Sequence, residues 1–77
     1  MPLALTINGE NRIFAELEPP VELARVIAEM NLKADRVAVE LNGQIASRAD
    51  WNETRVSSGD RLEVVHFVGG GRGEQAP

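Results

Sequence analysis

A chain of 77 residues with 43% hydrophobic content supplies one small core, near the size at which a single domain becomes marginal, and leaves no room for a large enclosed active site. Eight basic against twelve acidic residues give a net charge of -4, which opposes the counterion release that drives nucleic-acid binding, so no nucleic-acid partner is expected. No apolar run approaches the ~20 residues of a membrane helix, and the N-terminus lacks the basic segment and apolar core of a signal peptide; the expectation is a soluble, cytoplasmic protein with no membrane partner.

Residues Leu3 to Asn8 alternate apolar with small or polar side chains and run into Asn8-Gly9, a pair suited to a two-residue turn in which both positions need positive φ. Arg12 to Leu17 then reads as the return strand. Pro19-Pro20 ends it, because proline cannot donate to a ladder but fits the first turn of a helix. From Val21 to Met30, the residues Leu23, Val26, Ile27 and Met30 fall at i, i+3, i+4 and i+7, one apolar stripe, with Glu22, Arg25 and Glu29 off it.

Arg36 to Leu41 is the third strand, and Asn42-Gly43 repeats the hairpin signal before the short strand Gln44 to Ser47. Arg48 to Val56 is mixed in pattern and reads as a loop or a short helical turn pinned by Trp51. Ser58-Gly59-Asp60 marks a turn, and Arg61 to Val68 is the last strand.

One helix with a single stripe and four or five short strands predicts an α+β fold, a mixed sheet with the helix packed across one face. With the first and last strands adjacent at the centre, those two must run parallel, which is the β-grasp (ubiquitin-like) arrangement. Residues 1-68 form this domain, and residues 69-77 a flexible glycine arm with a polar tail.

Side-chain catalysis and metal binding are not expected. Without cysteine the chain has no thiolate nucleophile and no thiolate metal site, and its single histidine, His66, has no second imidazole to work with. His66 shares the parity of the core face at the end of the last strand and reads as a partly buried structural residue. By the same alternation Leu62 and Val64 face the core, while Glu63, Val65 and Phe67 face away. Val65 and Phe67 are either an apolar docking patch or covered by the Ala49 to Arg55 segment.

Four of the seven glycines lie in the last nine residues, and the run Gly69, Gly70, Gly71 contributes nothing to packing. Three extended residues reach roughly 10 Å, enough to pass through a channel too narrow for side chains. The segment is either such an arm, inserted into a partner's active site, or a disordered linker.

The stretches VAVELNG, SRADW and SSGD, and above all the ending VVHFVGGG, resemble the ThiS family of sulfur carriers in thiamine biosynthesis, over residues 3 to 71. The resemblance implies that the protein is not an enzyme but a co-substrate. A ThiF-like adenylating enzyme would use ATP and Mg to activate the carboxylate of Gly71, and a sulfur donor protein would convert it to a thiocarboxylate that passes its sulfur to thiazole synthase. Gly69 and Gly70 would form the arm, and Val65 and Phe67 part of the docking surface. The carrier itself would bind no cofactor and no metal.

This sequence departs from that pattern in that RGEQAP follows Gly71, so Gly71 has no free carboxylate while its amide to Arg72 is intact. The favoured expectation is removal of residues 72-77 by a processing protease; an unprocessed or non-carrier form, or a tail from a misplaced stop codon, are the alternatives. Two other functions stay open: a sulfur carrier like the small subunit of molybdopterin synthase, and a non-catalytic ubiquitin-like protein-binding module.

Overall fold

The chain begins with a hairpin whose turn is set by two residues. In the computed structural model, which describes residues 1-67, β1 (Leu3–Ile7) pairs antiparallel with β2 (Glu10–Phe14), and Asn8 (φ 52) and Gly9 (φ 83) form the turn between them. Both central residues are left-handed, the geometry that matches the strand twist. So short a turn brings Glu10 directly opposite Ile7, and β2 therefore starts two residues before the expected Arg12. It also stops at Phe14 rather than Leu17, where the Leu17 N–H turns back to the Phe14 carbonyl at 3.2 Å. Leu17 is nonetheless buried, its carbonyl accepting from the Leu3 N–H at 3.0 Å.

The helix starts at Leu23, the first residue of its apolar stripe, and later than the start that Pro19-Pro20 suggests. Val21–Glu22 is a short strand, β3, paired with β6 (Arg55–Val56), and α1 runs Leu23–Glu29. The residues before the helix are held extended by partners more than thirty positions away in the chain, Val21 opposite Val56 and Glu22 opposite Arg55. Leu23, Val26 and Ile27 are buried, and Met30, one residue past the helix, is partly buried against the same core. Each fully buried aliphatic side chain contributes about 1.5-3 kcal/mol before entropy, so this stripe is a main anchor of the fold.

After a 3-10 turn at Ala34–Arg36, β4 (Val37–Leu41) and β5 (Gln44–Ala46) form the second hairpin, with Asn42 (φ 52) and Gly43 (φ 86) repeating the first turn. The segment that follows is a 3-10 turn at Arg48–Asp50 with Trp51 behind it, only 3% exposed, its indole N–H donating to the Ala46 carbonyl at 2.8 Å. The final strand, β7, runs Arg61–His66, two residues short of the expected end at Val68, which lies outside the described residues.

The five-stranded sheet has the order β2-β1-β7-β4-β5, with β1 and β7 parallel at its centre and the other neighbours antiparallel. This is the β-grasp arrangement. One sheet face contributes Leu3, Leu5, Ile7, Val37, Val39 and Leu62 to a core shared with α1, Trp51 and Val56. Among the described residues no helix is long and apolar enough to cross a membrane.

Candidate functional site

β7 lies between β1 and β4 and precedes the glycine run in sequence. Its two flanks are held by the two turn asparagines. β1 ends at Ile7, and beyond it the Asn8 side chain continues the ladder: its Oδ1 accepts from the Val64 N–H at 2.8 Å and its Nδ2 donates to the Val64 carbonyl at 3.1 Å. From the other hairpin, Asn42 accepts from the Arg61 N–H at 2.9 Å through Oδ1 and donates through Nδ2 to Asp60 at 3.1 Å. The turn signals Asn8-Gly9 and Asn42-Gly43 were legible as turns; that both asparagine side chains also clamp the last strand depends on contacts distant in sequence.

The sheet face away from α1 is uncovered over β4, β5 and β7. Val65 is 59% exposed and Phe67 50%, with Ile45 on β5 more exposed still. The Ala49 to Arg55 segment does not cover them, since Trp51 and Val56 turn into the core on the helix side. Of the two readings of Val65 and Phe67, the structure supports an open apolar surface. The same face carries Ala38 and Glu40 on β4 and Glu63 on β7, with Ala38 opposite Val65 and Glu40 opposite Glu63.

His66 is exposed, not partly buried as its parity suggests. It pairs with Val37, the first residue of β4; Val37 is buried in the core, whereas the His66 side chain borders a surface hollow with Asn31, Leu32, Lys33 and Arg36. Gly69, Gly70 and Gly71 lie outside the described residues. Among the described residues no three His, Cys, Asp or Glu side chains come together as a metal-binding group.

The fold and its open apolar face define a β-grasp protein of the ubiquitin-like class, and comparisons narrow the class. The family model described as the ThiS family matches residues 5–71. The crystal structure of the thiamine biosynthesis protein ThiS from Geobacter metallireducens superposes with a TM-score of 0.74 at 30% identity, covering 90% of this chain and 100% of that one. The sulfur carrier protein ThiS of Bacillus subtilis is 37% identical over 46 residues, 60% of this chain and 70% of its own. A thiazole synthase from Paramagnetospirillum magneticum is 35% identical over 69 residues, 90% of this chain but 20% of its own, so the chain spans about a fifth of that relative's length. The chain belongs to the ThiS family, the sulfur carrier family of thiamine biosynthesis.

Proposed function

We propose that the protein carries sulfur as a thiocarboxylate on Gly71 and delivers it to thiazole synthase. The observation that carries this reading is the coincidence of the family match, which ends on residue 71, with the third glycine of a side-chain-free run in a chain without cysteine. Such a chain has no side-chain thiol to hold transferable sulfur; a terminal carboxyl group can. The Gly71 carboxylate attacks the α-phosphorus of ATP and expels pyrophosphate, leaving an acyl adenylate. Sulfide supplied by a sulfur donor protein then adds to the acyl carbon, AMP leaves, and the thiocarboxylate remains. ATP and Mg belong to the ThiF-like activating enzyme, which does the chemistry; the carrier is its co-substrate.

Residues 1-68 act as the recognition domain and residues 69-77 as arm and tail. Gly69 and Gly70 give the narrow passage into the activating enzyme, and Val65 and Phe67 the apolar contact at its mouth. The Gly71-Arg72 amide must be cleaved before activation, because only a free carboxylate can be adenylated. A ThiS-like stretch within a chain named thiazole synthase supports that enzyme as the sulfur acceptor.

The test is ATP-pyrophosphate exchange catalysed by the activating enzyme. A chain ending at Gly71 should support exchange, and the same chain with its terminal carboxyl amidated should not. Equal exchange with both forms would place the acylated group elsewhere and overturn the reading.

A further inference from the structure

The open face contains an arrangement that the fold itself does not explain. Glu40 of β4 and Glu63 of β7 are direct cross-strand partners, both exposed. Their Cβ atoms are therefore about 4.5-5.5 Å apart, and like charges at such positions destabilise a sheet. The ion pairs among the described residues are Met1–Glu18, Arg25–Glu29 and Arg55–Glu22, none of which involves either carboxylate. Arg61, two residues before Glu63 on the same strand, does not come within ion-pair distance of it. An apolar or oppositely charged pair would serve the sheet better.

The surroundings give the pair a complement. Ala38 sits one row along β4, opposite Val65, and Ile45 of β5 is the partner of Glu40 on the other side. These residues line one surface hollow, a trough in which Glu40 is flanked by Ile45 and Glu63 in one row and the short Ala38 lies beside Val65 in the next. A hollow lined by apolar side chains and two adjacent carboxylates matches one side chain type: a long aliphatic stem with a cationic head. Arginine fits better than lysine, since its planar fork offers several donors to two carboxylates on neighbouring strands and its guanidinium is the more weakly hydrated cation.

We propose that this trough receives an arginine from an apolar patch on a partner protein, with Glu40 and Glu63 as the residues that select it. A second copy of this chain is a poor occupant, because a two-fold contact through this face sets the Glu40 and Glu63 pair of each copy against the other's. The bound arginine removes the repulsion that the free sheet carries, so the pair trades stability of the free protein for selectivity. This deepens the docking role given to Val65 and Phe67 and rests on that reading, while its test uses no sulfur chemistry.

The test is a titration of the 15N-labelled protein with the peptide acetyl-Leu-Arg-Leu-amide, beside the same peptide with citrulline, which keeps the shape of arginine and removes its charge. The expected result is saturable amide shifts grouped at Ala38, Glu40, Ile45, Glu63 and Val65 with the arginine peptide, at least tenfold weaker binding of the citrulline peptide, and loss of the shifts in E40Q/E63Q. That double variant should unfold at or above the wild-type temperature, which separates lost recognition from lost structure. With the intact activating enzyme or thiazole synthase, E40Q/E63Q should weaken the binding of at least one at least tenfold and flatten its salt dependence.

Equal binding of both peptides, shifts that persist in the double variant, or unchanged affinity for both enzymes would overturn the proposal. Self-association abolished by E40Q/E63Q would overturn it in favour of a second copy. Failure of the carrier reading appears separately, as the absence of Gly71 adenylation, and leaves the peptide titration unaffected.

Discussion

Replacing Asn8 removes the clamp on β7 without touching the core. In Asn8→Gly the left-handed φ of 52° is kept at no steric cost, so what is lost is the pair of bonds to Val64, at 2.8 and 3.1 Å. A net ~0.5-1 kcal/mol for each bond at a solvent-accessible position gives about 1-2 kcal/mol. Asn8→Ala loses the same bonds and also puts at positive φ a residue that, unlike glycine or asparagine, tolerates it poorly, adding up to about 1-2 kcal/mol. Against the ~4-11 kcal/mol expected for a domain of this size, both losses are substantial. Urea unfolding reads them directly: with a slope near ~1 kcal/mol/M, the midpoint should fall by about 1-2 M for Asn8→Gly and further for Asn8→Ala. Amide exchange at Val64 should accelerate in both. A midpoint for Asn8→Gly within about 0.3 M of wild type, with Val64 still protected, would refute the claim that this side chain completes the ladder.

Other substitutions address the core, the face and the arm. Trp51→Phe strips the Ala46 carbonyl of its 2.8 Å donor and leaves a smaller ring in a buried position, and should cost about 2-3 kcal/mol in equilibrium unfolding. Ile27→Ala, at a fully packed point of the helix stripe, should cost about 2-5 kcal/mol in the same assay. Val65→Ser with Phe67→Ala should leave the unfolding midpoint within about 0.5 kcal/mol of wild type, as both side chains are exposed, while weakening the complex with the activating enzyme in calorimetry. Gly70→Val should unfold like wild type yet fail in ATP-pyrophosphate exchange; normal exchange would remove the argument for a narrow passage.

The parts of the fold governed by local chemistry were legible in the sequence. Asn8-Gly9 and Asn42-Gly43 announced both hairpins through their need for positive φ, the stripe from Leu23 to Met30 announced the helix, and alternation in the last strand put Val65 and Phe67 on the outer face. What escaped depended on distant partners. Val21 and Glu22 carry the signature of a helix start and become a strand only because Arg55 and Val56 lie alongside. His66 has core parity and pairs with the buried Val37, yet it borders a surface hollow formed with residues distant in sequence, Asn31 to Lys33 and Arg36. The opposition of Glu40 and Glu63 depends on the β4-β7 register, which no local pattern encodes. Of the candidate site, the apolar residues could be found by parity, but the paired carboxylates beside them could not.

The most direct measurement of sulfur borne by the carboxyl of Gly71 is the intact mass of the protein isolated from its own host growing without thiamine. The prediction is a chain ending at Gly71, a fraction of it heavier by the exchange of one oxygen for sulfur and returned to the lighter mass by thiol-specific alkylation followed by hydrolysis. A chain found only with residues 72-77 still attached, and no sulfur-bearing form under thiamine starvation, would contradict it.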